Sequence, residues 1–165
     1  MSHTLSVLVD NQPGVMARVS SLFARRGFNI HSLAVGPTHE PGISRITLVV
    51  NAPELEQLSK QLNKLVNVIK ITELDPGAAI EREIMLVRVS APREQRGEIR
   101  DTASIFDAKV VDVGVNSLTF EVVGAPAVLA DFLELMRPYG VTELVKSGRI
   151  AVAKDAKARS LQATA

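Results

Sequence analysis

Cysteine and tryptophan are absent from the 165 residues, and aromatic residues make up only 4% of them. Without cysteine the chain has no disulfide, no thiolate metal site and no cysteine nucleophile, and it is compatible with a reducing compartment. A surplus of one charge is also lacking, because 19 lysines and arginines face 18 aspartates and glutamates. A balanced charge gives no global field for gathering nucleic acid or anionic membranes, so we expect neither as a partner.

Long hydrophobic runs are missing as well. The longest, such as Ile84-Met85-Leu86-Val87, have the length of a strand and predict no membrane span. The first residues lead into a strand with no basic segment or apolar signal core. We therefore expect a cytoplasmic protein.

The motifs of common enzymes are not found. His3, His31 and His39 fall on a terminus, a strand and a loop, with no spacing that would place two ligands on one helical face. The chain has no Gly-x-Gly-x-x-Gly and no Gly-Lys-Ser/Thr motif. The sequence therefore predicts no catalytic residue, no metal site and no nucleotide cofactor.

Hydrophobic periodicity predicts the same order of elements twice. The first copy has strands at 5–9, 28–35, 43–50 and 66–74, with helices beginning at Val15 and after Pro53. The second has strands at 84–89, 110–115, 118–123 and 141–152, with helices at 92–106 and 126–138. Each copy reads strand, helix, strand, strand, helix, strand.

This order predicts an α+β protein with two ferredoxin-like βαββαβ domains, each with both helices on one face of an antiparallel sheet. We expect the domains at residues 1–76 and 84–153, a linker at 77–83 and a flexible tail at 154–165. Such a domain leaves an edge strand uncovered, which favours self-association. RNA-recognition domains share this order, but they need aromatic residues on central strands, and strand 46–50 has none.

The turn after the first strand, Asp10-Asn11-Gln12-Pro13-Gly14, has the residues of a possible binding site. Gly14 permits a close approach of the backbone, and the free amides of the following helix can receive a carboxylate. Alternatively, Pro13 and Gly14 only shape the turn and Asn11 caps the helix. The second copy has no glycine at its corresponding turn, so we expect one binding domain and one diverged domain.

Three segments, Asn11-Gln12-Pro13-Gly14-Val15, the run from Arg26 to Leu33, and Ser44-Arg45-Ile46-Thr47, resemble the regulatory small subunit of acetohydroxyacid synthase, also called acetolactate synthase. The segment from Glu81 to Val87 is similar to the start of that family's second domain. The resemblance implies an N-terminal ACT domain that dimerises through edge strands, and an ACT-like regulatory C-terminal domain. It also implies that the chain activates a separate catalytic subunit and makes it sensitive to feedback inhibition by valine.

The resemblance places valine at the dimer interface, and the expected ligand-binding residues are Asn11, Gly14, Val15, Met16, Asn29 and Ile30. Asn29 and Ile30 would come from the partner chain, although Asn29 can also be read as a bend residue after Gly27. Thiamine diphosphate, Mg²⁺ and FAD would belong to the catalytic subunit, and this chain would hold no cofactor. Leucine and isoleucine stay open as ligands, as do a free-standing ACT-type sensor of another pathway and a structural protein without a ligand.

Overall fold

The computed structural model describes residues 2–53 and 55–155. The chain divides into two compact units, Met1–Ile80 with Arg149–Ala165, and Glu81–Gly148. Within the described ranges, no helix has the length and apolar character needed to cross a membrane.

The first unit has the predicted order of elements. These are β1 (Ser2–Asp10), α1 (Val15–Arg26), β2 (Asn29–Pro37), β3 (Ile43–Asn51), α2 (Leu55–Leu62) and β4 (Val68–Leu74). The sheet order is β2-β3-β1-β4, and every neighbouring pair is antiparallel. β2 is therefore an edge strand of this sheet.

The core of the first unit is formed by apolar residues that alternate along the strands and recur at helical spacing along α1. Leu5, Val7 and Val9 of β1 are buried, and Leu5 and Val7 lie opposite Leu48 and Ile46 of β3. The helices cover this face with Val15, Val19 and Phe23 from α1 and with Leu58 and Leu62 from α2. The leucines of this segment, Leu55, Leu58, Leu62 and Leu65, recur at steps of three and four residues, and this spacing places them on the face that packs against the core.

The second unit repeats the topology. Its elements are β5 (Ala79–Ser90), α3 (Arg96–Ser104), β6 (Lys109–Val113), β7 (Ser117–Gly124), α4 (Pro126–Met136) and β8 (Val141–Lys146), with a short 3₁₀ turn at Arg137–Tyr139. The sheet order is β6-β7-β5-β8. The prediction of two ferredoxin-like α+β domains with antiparallel sheets is confirmed.

Two predicted boundaries differ from the structure. The residues predicted as a linker, 77–83, lie mostly in β5, because the charged residues Glu81, Arg82 and Glu83 continue an extended strand instead of interrupting it. The strand predicted at 141–152 is divided by Gly148, whose φ is +83°, and continues as a separate strand, β9 (Ile150–Ala153). Of the predicted flexible tail, residues 156–165 lie outside the described part of the chain.

The strand β9 returns to the first unit. It pairs with β5, and Ala151 forms a small buried cluster with Leu74 and Ala79. The backbone N–H of Arg149 donates to Ser32 Oγ at 2.6 Å, and its Nη1 donates to Thr4 Oγ1 at 3.4 Å. The returning segment therefore contacts the face of the first sheet that the helices do not cover.

Three phenylalanines organise the core of the second unit. The Phe132 ring meets Phe106 and Phe120 edge to face, with centroids 5.5 and 5.9 Å apart. Both Phe120 and Phe132 are fully buried. Edge-to-face pairs add to the stabilisation from buried area.

We expect Phe132→Ala to lower the free energy of unfolding of this unit by about 3–5 kcal/mol, because it removes both aromatic pairs and leaves a cavity. Urea unfolding of the variant and the parent measures the difference. Leu135→Ala, at a position on the same helix where the side chain is 47% exposed, serves as the control. Equal losses in the two variants would contradict the role of Phe132.

Candidate functional site

The turn between β1 and α1 has no side-chain cap. Gly14 is the N-cap residue of α1 in the left-handed conformation, with φ 84° and ψ −7°, and no side chain bonds to the first turn. The alternative in which Asn11 caps the helix is therefore not observed. A β-carbon on Gly14 would meet no atom within 4 Å, so this glycine is required for its conformation and not for space within the chain.

Several amides at the start of α1 are without an acceptor. The N–H of Arg18 donates to the Gly14 carbonyl at 3.1 Å and begins the helical pattern, while the N–H of Val15 makes a long bond of 3.4 Å to the Gln12 carbonyl. In the part of the chain that the structure describes, the N–H groups of Gly14, Met16 and Ala17 donate to nothing. Together with the helix dipole, these amides form a site suited to an anion.

The turn itself is fixed by bonds to neighbouring segments. The N–H of Asp10 donates to the Asn67 carbonyl at 2.9 Å, and that of Asn11 donates to the Gly42 carbonyl at 2.8 Å. A third bond, from the N–H of Gln12 to the Asp10 carbonyl at 2.9 Å, closes the turn. A ligand would meet amides that are already oriented, which lowers the entropy lost on binding.

A cleft of about 120 Å³ lies beside these amides. It is lined by Val9, Asp10, Asn11, Gln12, Gly14, Val15, Met16, Val35 and Ser44. Residues with unpaired backbone donors, the acidic residue Asp10 and the aliphatic residue Val35 thus line one small volume. This combination can bind a small zwitterion that has an apolar side chain.

The structure brings together four of the six residues predicted for the site. Asn11, Gly14, Val15 and Met16 line the cleft, whereas Asn29 and Ile30 do not. The latter begin β2, at the end of the strand away from Val35, a distance of about 20 Å at the usual rise per residue. Within one chain, Asn29 and Ile30 are therefore too far away to contribute.

Sequence reasoning did not name the unpaired amide of Ala17, which does not line the cleft, or the cleft residues Asp10, Val35 and Ser44. Ala17 follows once the cap is known to be Gly14, because the unpaired amides of a helix extend over its first turn. Val35 and Ser44 come from β2 and β3, and only the paired register places them beside the turn.

The equivalent turn of the second unit is filled by a side chain of the chain itself. Its α3 begins after Gln95, which has right-handed backbone angles. The Arg96 guanidinium donates through Nε to the Ala91 carbonyl at 3.0 Å and through Nη2 to the carbonyls of Gly114, at 2.6 Å, and Val115. The two turns therefore differ in chemistry, as their sequences indicate.

No group of three or more His, Asp or Glu side chains suited to a metal ion occurs in residues 2–53 and 55–155. His31 lies in β2, where the register with β3 shifts between Ile30 and Ser32, and its side chain is exposed. These observations describe His31 as an exposed strand residue at a bulge.

Comparison with known proteins gives matches along nearly the whole chain. A family model described as the AHAS small subunit-like ACT domain matches residues 5–70, and one described as the small subunit of acetolactate synthase matches residues 82–155. The acetolactate synthase small subunit of Mycolicibacterium smegmatis is 51% identical, over 93% of this chain and 91% of its own length. The probable acetolactate synthase small subunit of Archaeoglobus fulgidus is 48% identical, over 95% of this chain and 99% of its own length.

A solved structure agrees with the sequence matches. The crystal structure of the acetolactate synthase small subunit from Thermotoga maritima aligns with a TM-score of 0.86 and 38% identity, covering 94% of this chain and 98% of its own. Sequence, fold and the order of both domains thus give the same result. The chain belongs to the family of acetolactate synthase small subunits.

Proposed function

We propose that this chain is the non-catalytic regulatory subunit of acetohydroxyacid synthase, which activates a separate catalytic subunit and makes it sensitive to inhibition by valine. The observation that supports an amino-acid ligand is the pair of unpaired amides at Gly14 and Met16, two residues that line a small cleft. Thiamine diphosphate, Mg²⁺ and FAD belong, in this proposal, to the catalytic subunit. No residue of this chain takes part in the chemical step.

The cleft has a place for each part of an amino acid. The carboxylate accepts from the amides of α1, where the helix dipole adds about 0.3–2 kcal/mol of stabilisation. The ammonium lies near the half-buried Asp10 carboxylate, and the side chain packs on Val35. Since one methylene in an apolar pocket changes affinity by only about 1–3 kcal/mol, leucine and isoleucine are expected to bind more weakly instead of being excluded.

A dimer completes this site. The outer edge of β2 is unpaired in the first sheet, and Leu33 and Val35 on this strand are 38% and 49% exposed. Antiparallel pairing of β2 with its copy would satisfy that edge and cover these side chains. With the twofold axis between Ser32 and Leu33, Ile30 of each chain faces Val35 of the other, and Asn29 faces Gly36.

This arrangement supplies the predicted role of Asn29 and Ile30. From the second chain they would form the wall of the cleft opposite α1, where the Asn29 amide can bond to the ligand. Valine would then stabilise the dimer state that holds the catalytic subunit in a less active form, through its higher affinity for that state.

We expect Gly14→Asp to abolish the response to valine while leaving a folded protein that still activates the catalytic subunit. The new carboxylate repels the ligand's own, and the left-handed backbone costs only about 1–2 kcal/mol of stability. Titration calorimetry with valine and inhibition assays measure the effect. Gly140→Asp is the control, since it also places an aspartate at a positive φ, +96°, but in the other unit.

Valine binding that persists in Gly14→Asp would remove this turn from the site. A loss of binding in Gly140→Asp of the same size would attribute the effect to strain.

We expect Asn29→His to raise the valine concentration needed for half inhibition by about tenfold or more, because a side chain that hydrogen-bonds a polar ligand group is replaced by a larger ring. Asn63→His, an exposed position after α2, is the control. Unchanged inhibition would move the site away from the β2 interface.

The function as a whole is tested by mixing the chain with a thiamine-diphosphate-dependent acetohydroxyacid synthase subunit and by a thermal-shift screen of the twenty amino acids. The proposal requires association, higher activity and a shift with valine. A shift without association would indicate a free-standing sensor of another pathway. Association without any shift would indicate an interaction subunit that has no ligand.

A further inference from the structure

A groove runs between α1 and α2 on the outer side of the first unit. It has a volume of about 460 Å³ and is lined by Ala17, Arg18, Ser21, Leu22, Arg25, Arg26, Gln61, Lys64 and Leu65. A second cavity of about 210 Å³ shares Leu22, Arg26 and Gln61 with it and adds Phe28. The two cavities form one groove with partly buried apolar side chains between exposed cations.

The cations of this groove lack acidic partners. Arg18, Arg25, Arg26 and Lys64 make no salt bridge within residues 2–53 and 55–155. Among the described residues, no acidic residue lines either cavity, and α1 contains no acidic residue. The charged residues that are described as lining the groove are therefore all cations, although the whole chain has a net charge of only +1.

The facing helix does not neutralise these arginines. Two neighbouring helices commonly place acidic residues opposite basic ones, but α2 contributes Gln57 and Gln61 to the groove. Its acidic residue Glu56 pairs instead with Lys60, at 3.9 Å and largely in solvent. An acidic segment from another chain would complement both the charge and the apolar floor of the groove.

A chain of hydrogen bonds connects the groove to the cleft at Gly14. Arg18 donates through Nη1 to Asn67 Oδ1 at 2.7 Å, and Asn67 Nδ2 donates to Asp10 Oδ2 at 3.5 Å. Asp10 lines the cleft and Arg18 lines the groove. One asparagine thus contacts a residue of each site, and its bond to Asp10 is long enough to be exchanged easily.

We propose that this groove receives an acidic, partly apolar segment of the catalytic subunit, and that Asp10, Asn67 and Arg18 connect its occupancy to that of the amino-acid cleft. An ammonium group beside Asp10 competes for the carboxylate that Asn67 now contacts. Asn67 and Arg18 then reorganise, and the position of a cation in the groove changes. This inference rests on the proposed function, since it assigns a surface to that partner.

Charge reversal tests the groove. Arg25→Glu with Arg26→Glu is expected to weaken association with the catalytic subunit by about tenfold or more and to reduce its dependence on salt concentration. The matched control is Lys70→Glu with Arg93→Glu, which makes the same charge change at exposed residues outside the groove. Calorimetry with valine alone is expected to give the parental affinity for both variants.

The outcomes separate the two proposals. Unchanged association and salt dependence in the groove variant, or an equal loss in the control, would overturn the docking surface and leave the valine site standing. Failure of the parent protein to bind valine would reject the proposed function instead. The groove variant could instead change only the self-association of this chain, or only its binding of added inorganic triphosphate. Either result would show that the groove has another occupant and would also overturn the inference.

Asn67→Ala tests the connection. The backbone carbonyl that accepts from Asp10 is retained, so the turn is expected to keep its valine affinity within about threefold. If the two sites are coupled, a saturating concentration of the catalytic subunit must change the valine dissociation constant of the parent protein. The factor of this change is the coupling factor, typically about 5–150-fold, and it is the same factor by which valine changes the affinity for the catalytic subunit. In Asn67→Ala the two dissociation constants, with and without catalytic subunit, are expected to converge.

Asn63→Ala, on the same connection between α2 and β4 but exposed, is the control and is expected to keep the full coupling factor. Parental coupling in Asn67→Ala would exclude this route between the sites.

Discussion

The amides at the start of α1 are the constraint on which the site depends. A helix normally satisfies some of its first N–H groups with a side chain from the cap residue, and this cap is worth about 0.5–2 kcal/mol. Here the cap residue is Gly14, which has no side chain, and the bond from Val15 to Gln12 is long at 3.4 Å. The unfilled positions lower the stability of the free protein and provide donors that a carboxylate can use. In the proposed complex, the carboxylate of the ligand would act as the missing cap.

The two units share one topology but differ at the turn after their first strand. Both have the βαββαβ order and sheets of the same strand order. In the first unit the turn after the first strand is open. In the second, Arg96 occupies the corresponding place and bonds to three backbone carbonyls. This cation bonds to one carbonyl of the turn, that of Ala91, and to two carbonyls between β6 and β7, so this turn presents a cation to acceptors where the first presents donors to an anion.

The fold was predictable because its signals are local. Alternation in β1 and the spacing of Val15, Val19 and Phe23 each identify one buried face without knowledge of the rest of the chain. The Asp-Asn-Gln-Pro-Gly turn was recognisable for the same reason. Val35 and Ser44 were not, because the register between β2 and β3 brings them to the turn. Sequence reasoning missed the return of β9 to the first unit. The apolar strand pattern continues past Gly148, whereas the strand itself is interrupted there by a positive φ.

The hydrogen bonds between the cleft and the groove are of the strength that the proposed coupling between the two sites requires. Coupling between two sites is typically about 1–3 kcal/mol, which equals the net contribution of one or two hydrogen bonds. The path from Asp10 through Asn67 to Arg18 contains one strong bond of 2.7 Å and one weak bond of 3.5 Å. In the proposed coupling, the weak bond lies next to the ligand and the strong bond next to the groove, so that a small change at Asp10 would move Asn67 and Arg18 together. Since α1 also lies between the cleft at its first turn and the groove along its side, no larger rearrangement of the sheet is needed to connect them.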